Sequence, residues 1–434
     1  MSILALNRLD IFLLIAVFIL IAIPVIFSIS ANAGKNNKTS EEPPVQVNLF
    51  ISPYYEIIFG KEMTGNLLLE FGSQYPEILI RTADDTQEPD ILVFDEGSFN
   101  AFADWDMLAD LNTFASHEYI EEFSSGEFPA SSAKGIAGHG TDAGSRRLAV
   151  PLVSFMDLLF YNIDILTAAG FDSPPKTREE FTAYSRIVAG SNFGVSASAI
   201  SLSRNDRNAL ARDIFSWIWA GGSNFWINGE KPSLNTRTIV NDFNFFGVLN
   251  REGMLAPGVF ETTGQKRLED FAAGKIAMMA APAQVIPFLR ERMNEGSFGI
   301  TSIPDANTGG RYSTGISSIY AAISANCEYT DEAWSFLVYL TEKSPLLCEA
   351  LKAVPGKVSN LIPGDYVRDD PYYSKAWEIF EFAQIAEGFS GKPYAEEYES
   401  VFLEELQTFF ESSRTAQQTV NAIQRRWDEI SGNF

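Results

Sequence analysis

The sequence predicts an α/β protein with a mostly parallel central sheet flanked by helices, arranged as two domains or one large two-lobed unit. Three observations lead there. The chain has 434 residues, more than one hydrophobic core usually serves. Its hydrophobic fraction of 46 % suits a globular body. From residue 45 onward, short β-rich runs alternate with helical segments, the pattern of βαβ units around a parallel sheet.

The first element is an export signal. Residues 11–29 (IFLLIAVFILIAIPVIFSI) are almost purely apolar, with Arg8 before them and a polar segment, 35–42, after. Two readings stay open for residues 1–33. Ala31-Asn32-Ala33 fits a small-x-small cleavage site, which makes the run a signal peptide, while its length approaches that of a bilayer-spanning anchor. Pro24 and Ser28 weaken a continuous span, and Arg8, partly cancelled by Asp10, gives a weak positive-inside bias. Either way the rest of the chain is expected outside the cytoplasmic membrane, in the periplasm or on the outer face. No cysteine follows the run to carry a lipid. Residues 34–44 (GKNNKTSEEPP) read as a linker.

Folded structure is expected from residue 45. Residues 45–51 alternate as a strand, 78–81 form a short apolar run, and 90–94 (DILVF) form a compact strand ending in Asp95 and Glu96. Ligands gather beyond the carboxyl ends of such strands, so these two acids are binding candidates. Thr177-Arg178-Glu179-Glu180 after Pro174-Pro175 is a capping box, opening a helix that Gly190 ends. A helix over 265–273 stops at Gly274, a buried strand follows from Lys275, and Ala281-Pro282 is expected to end it at a sheet edge. Thr330 is expected to cap the helix 331–340. Two helices, 398–410 and 415–430, close the chain.

Composition excludes several functions. With 32 Lys and Arg against 56 Asp and Glu the net charge is −24, which repels nucleic acid. Cys327 and Cys348 have no metal-ligand spacing and lie on either side of a helix, so free thiols are expected, with a disulfide as the alternative an exported chain allows. His117 and His139 form no ligand pair, the glycine-rich loop 135–144 lacks the GK[ST] ending of a phosphate loop, and Asp84-Asp85 point to opposite faces of a strand. No catalytic constellation, cofactor or metal site is expected.

The order of segments resembles the family 1 extracellular solute-binding proteins of ABC importers, the maltose-binding-protein type. The most specific piece is residues 148–171 (LAVPLVSFMDLLFYNIDILTAAGF) followed by PPKTREEF. IWAGGSNFW (218–226), LEDFAAGKIAMMAAPA (268–283), FGITSIPD (298–305) and ISSIYAAISANCEYTDEAWSFLVYLT (316–341) follow in the family's order.

That resemblance implies the type II periplasmic-binding-protein fold: two lobes, each a sheet flanked by helices, joined by crossing strands and closing on a solute. It divides the chain into 45–152 plus 306–343 as first lobe and 153–305 plus 344–434 as second, with hinges near 152–155, 303–308 and 341–347. A small solute, above all a carbohydrate, and membrane ABC permease subunits are the implied partners. A monomer is expected. An anchored sensor uncoupled from transport is the alternative.

Sugars need flat apolar faces and planar polar groups. The candidate contacts are Tyr54, Tyr55, Asp95, Glu96, Phe155, Asp157, Trp226, Ala283, Ser318, Tyr394 and Tyr398. Ala283 stands where relatives often carry Trp, and Ile319 lies near where they carry another aromatic; both departures leave room for a smaller sugar or a polyol phosphate. Arg204 and Arg311 are the cations weighed for a phosphate.

Overall fold

A computed structural model describes residues 43–432, except 84–86, 96–97, 100–101, 103–105, 117–146, 192, 205, 207–208, 227–230, 235, 307–312, 315, 352, 356–364, 386–387, 390–391 and 393. The apolar run 11–29 and the loop 135–144 therefore lie outside the described residues, as do Asp84, Asp85, Glu96, His117, His139 and Arg311. No helix among the described residues is long and apolar enough to cross a membrane.

The expected alternation is present. Strand β1 (Val45–Ile51) leads into a helix, Pro53–Gln74, then β2 (Ile78–Thr82) and β3 (Ile91–Asp95). The long β4 (Val150–Asn162) is followed by helices Ile163–Ala168 and Arg178–Gly190 and by β5 (Ser196–Ala199). A π-helical turn, Ala211–Phe215, runs into Ser216–Ala220, and helices Arg237–Arg251 and Gly264–Ala272 precede β6 (Ile276–Pro282). Helix Ile286–Arg292 leads to β7 (Phe298–Thr301), β8 (Ser313–Thr314) and β9 (Ile316–Ile323). Helices Thr330–Glu342 and Ser344–Leu351, β10 (Val354–Pro355), helix Pro371–Phe382 and β11 (Gln384–Ile385) come next, before the closing helices Ala395–Glu411 and Ala416–Gly432.

From Val45 onward the chain clusters as one unit, built around the strand order β2-β1-β3-β9-β4-β6-β5. The sheet is mixed, which corrects the expectation of a mostly parallel one. β1 runs parallel to β2 and β3, and β5 parallel to β6. Around the centre, β4 runs antiparallel to β9, β6, β7 and β10, and β3 antiparallel to β9. Local alternation cannot reveal this, because the partners of β4 lie far off in sequence.

Strand β4 organises the molecule. Its first part, Val150 to Met156, pairs with β9, and its second part, from Asp157, pairs with β6 and β7. Twelve of its thirteen residues are buried, as expected of a strand covered on both faces. A register shift between Pro151 and Val153 bends it where it pairs with β9.

Separate cores form on the two sides. Val153 and Phe155 pack with β1, β3 and β9, whereas Met156, Leu158 and Leu159 pack with β5 and β6. Leu347, Cys348 and Leu351 join the first of these cores. That core therefore extends past both expected boundaries, 152/153 and 343/344.

Local signals read from the sequence are met with two exceptions. Asn162 caps the helix after β4 by accepting from the Ile165 N–H at 3.0 Å. Thr177 accepts from the Glu180 N–H at 3.2 Å, while the Glu180 carboxylate accepts from the Lys176 N–H at 2.7 Å. Gly274, at φ +70°, ends its helix in the left-handed region that glycine adopts freely. The first exception is Thr330, which is the first helical residue; Tyr329 holds the cap position without a side-chain bond. The second is β6, which is interior, between β4 and β5, so Pro282 closes a strand end and not a sheet edge. Cys327 and Cys348 are buried free thiols.

Candidate functional site

The place where β4 passes from one core to the other gathers strand ends from both halves. Asp95, the last residue of β3, stands opposite Ile319 of β9. Ile319 is opposite Val153 of β4, and the next pair, Ser318 and Ser154, share a hydrogen bond of 2.8 Å between hydroxyls. Three residues along β4, about 10 Å on, Asp157 stands opposite Pro282, which leads into Ala283. Asp95, Ser318, Phe155, Asp157 and Ala283 thus lie on neighbouring stretches of β3, β9, β4 and the end of β6, spread over about 10 Å along β4.

Asp95 is occupied locally, accepting from the Ser98 N–H at 2.7 Å. Phe155 is buried in the first core, and Ala283 in the second half. Asp157 is 7 % exposed. Burial pushes its carboxyl up to about 7, with Arg212 pulling it down and Asp213 pushing it further up.

The groups around Asp157 form a network at the carboxyl end of β5. Asp213 Oδ2 accepts from the Ser201 N–H at 2.8 Å and from its hydroxyl at 2.7 Å. Arg212 Nη2 donates to Ser201 Oγ at 3.0 Å and to Asp206 and Asp213 at 3.1 Å. Its Nε reaches Asp213 Oδ1 at 3.3 Å. Burial works against the charge of this guanidinium, but Asp213 and Asp206 outweigh it and raise its pKa. Asp206 also accepts from the Gly264 N–H at 2.9 Å, tying the loop to the start of helix Gly264–Ala272.

Beside this stretch of β4, Ser154, Phe155, Met156 and Ala283 border a recess of about 30 Å³ that Tyr373 and Trp377 also line. Its volume suits a water or two. Helix Pro371–Phe382 carries both rings and is fixed by Arg290, which binds Asp370 through two hydrogen bonds of 2.5 and 2.7 Å. Asp370 caps that helix by accepting from the Tyr372 N–H at 2.9 Å. Tyr372 donates to the Phe298 carbonyl at 2.8 Å.

The remaining aromatic candidates stand together elsewhere. Trp226 is 5 % exposed; its Nε1 donates to the Gly388 carbonyl at 2.8 Å and Lys392 Nζ lies 4.7 Å from the ring centre. Tyr398 meets it edge-on, with its hydroxyl 2.8 Å from Ser431 Oγ. Tyr394 holds the cap of helix Ala395–Glu411 at φ 59° and packs partly buried against the same core. Tyr54 and Tyr55 belong to the first turn of helix Pro53–Gln74, and their side chains lie outside the described residues. Arg204 is exposed, with Glu404 at 4.0 Å.

A family model described as bacterial extracellular solute-binding protein matches residues 69–345, well over half of the chain. The chain belongs to this family. Among curated relatives of the solute-binding protein, a binding protein of Brucella abortus (strain 2308) is 22 % identical over 203 residues, 45 % of this chain and 46 % of that one. An ABC transporter-binding protein of Deinococcus radiodurans is 21 % identical over 274 residues, 58 % of this chain and 64 % of that one. The alignments thus span about half of the Brucella relative and under two thirds of the Deinococcus one.

Solved structures agree over most of the chain. The cyclic alpha-maltosyl-1,6-maltose binding protein from Arthrobacter globiformis superposes with a TM-score of 0.71 at 15 % identity, covering 90 % of this chain and 100 % of that one. Maltose-bound T. maritima MalE3 gives 0.68 at 18 %, covering 89 % and 100 %. These likenesses establish the two-lobed fold.

Sequence reasoning missed Arg212, Ser201 and Gly264, and also Tyr373 and Trp377. Nothing local marks them. Arg212 sits in an ordinary amphipathic stretch, and its role emerges only when Ser201, Asp206 and Asp213 fold around it.

Proposed function

We propose that this solute-binding protein captures a small carbohydrate where its halves meet at β4 and delivers it to an ABC importer in the membrane. The observation that carries the reading is the shared strand. β4 belongs to both cores, and strand ends from both halves bring carboxylates and hydroxyls to it, as a hinge over a ligand site requires. The relatives support the choice of solute and partner, since one is named for an ABC transporter and the solved structures for maltose and a maltosyl sugar.

On this reading the lobes follow the two cores, and Asp95, Phe155, Asp157, Ala283 and Ser318 line the meeting line. With Trp226 covered by Lys392 and Ala283 offering no ring, polar contacts contribute most of the affinity. The protein works as an exported monomer and performs no chemistry on its cargo.

A thermal-shift panel of hexoses, disaccharides and maltooligosaccharides tests this. A bound sugar at a hundredfold excess over its Kd stabilises the fold by about 2.7 kcal/mol. No stabilisation by any sugar, with no solute found by native mass spectrometry, would overturn the carbohydrate reading.

A further inference from the structure

We propose that Arg212 is a solute-binding residue, presenting the Nη1 edge of its guanidinium to hydroxyl oxygens of the solute at the carboxyl ends of β5 and β6, where Asp157 pairs with the last residue of β6; this rests on the carbohydrate reading above and adds a named recognition group.

The guanidinium is braced on one edge. Nε and Nη2 make four hydrogen bonds, to Ser201, Asp206 and Asp213. Nη1, with two N–H donors, makes no hydrogen bond among the described residues, although the side chain is only 15 % exposed. Nη1 is not a buried orphan; it keeps access to solvent, so this edge of a guanidinium braced on the other side is free to donate to an incoming oxygen.

A glycine stands against part of that edge. Gly264 lies so close that a Cβ there would stand 2.8 Å from Nη1 and from Asp206 Oδ2, so no side chain fits between the helix start and the guanidinium. Arg212 also occupies the π-helical turn Ala211–Phe215, a wide turn frequent at functional sites. Asp157 of the crossing strand stands opposite Pro282, the last residue of β6, and its carboxyl feels the charge of Arg212.

The chemistry of that pair selects a polyhydroxylated solute. A hydroxyl oxygen accepts from the guanidinium while a neighbouring hydroxyl donates to the carboxylate, so one arginine and one aspartate read two adjacent hydroxyls. Arginine fits because its planar donors stay charged at every physiological pH.

Calorimetric titration with glucose, maltose, trehalose and the 2-, 3- and 6-deoxyglucoses tests the assignment in wild type, Arg212→Lys and Gly264→Ala. The alanine variant keeps every charge and places a methyl group against Nη1, so it stays decisive if the lysine variant fails to fold. The expected result is a ten- to hundredfold loss of affinity for the sugar bound by wild type, together with loss of discrimination against one of the deoxy sugars. A general weakening of the fold would not remove that discrimination. Wild-type affinity and discrimination in both variants would overturn the role of Arg212 alone. If wild type binds none of these sugars, the carbohydrate reading fails and this assignment fails with it.

Discussion

Asp157 sits in an environment far from that of a solvated side chain. Its carboxyl has an ordinary pKa of 3.8 and titrates at about 7 in the fold, because burial disfavours the charged form. The sign follows directly: between these values the folded state binds the proton and the unfolded state does not, so stability falls as pH rises through 3.8 to 7. Above pH 7 the folded protein holds this carboxylate charged at a cost on the order of 4 kcal/mol. Melting curves from pH 5 to pH 8 should therefore show a decline that Asp157→Asn reduces, with the variant the more stable at pH 8; Glu399, whose carboxyl burial likewise pushes up to about 8, accounts for the remainder. An unchanged slope would mean that Asp157 is already compensated. The sequence marked Asp157 as a candidate through its place after the crossing. Its pKa was not legible, because Arg212 and Asp213 lie more than fifty positions away.

Among elements, the helix Arg178–Gly190 shows how tertiary contacts complete what local signals begin. Its capping box was readable from Thr177 and Glu180 because capping involves neighbours in sequence. The second function of Arg178 was not readable. It forms a buried ion pair with Asp242 of helix Arg237–Arg251 and donates to the Trp217 carbonyl, while Ser223 donates to the other Asp242 oxygen at 3.2 Å. Gly221 makes room for this joint, since a Cβ there would lie 2.7 Å from Arg178 Nη2 and 2.8 Å from Asp242 Oδ1. Asp242→Ala leaves a buried cation without its partner and should cost about 3 to 5 kcal/mol in urea unfolding. Gly221→Ala should destabilise as well, through displacement of the pair; a loss below about 0.5 kcal/mol would mean that the joint relaxes freely. The mixed sheet was hidden for the same reason of distance. Val45–Ile51 and Ile91–Asp95 declare themselves as strands, but the direction of their partners depends on pairings such as Ser154 with Ser318, which are 164 residues apart.

For the whole molecule, order and spacing of segments carried the fold, because a solute-binding protein repeats the same sequence of strands, turns and helices whatever its cargo. The candidate site was legible only in part. Asp95, Phe155, Asp157, Ala283 and Ser318 lie on neighbouring strand stretches near the crossing, whereas Trp226 and Tyr398 belong to an aromatic core with Trp427 and Phe389. Aromatic residues after a glycine pair look alike whether they face a solute or a core, and only packing tells them apart. If the halves close over a sugar, small-angle scattering should record a smaller radius of gyration when the stabilising sugar is added; an unchanged radius would remove hinge closure from the mechanism. The shared strand has another consequence. A single ribbon threads both hydrophobic interiors, with Val153 inside one and Leu158 inside the other, so melting either interior strips its neighbour of a central template. Scanning calorimetry should accordingly give one endotherm, and a nick between Phe155 and Asp157 should leave neither fragment able to hold its shape alone.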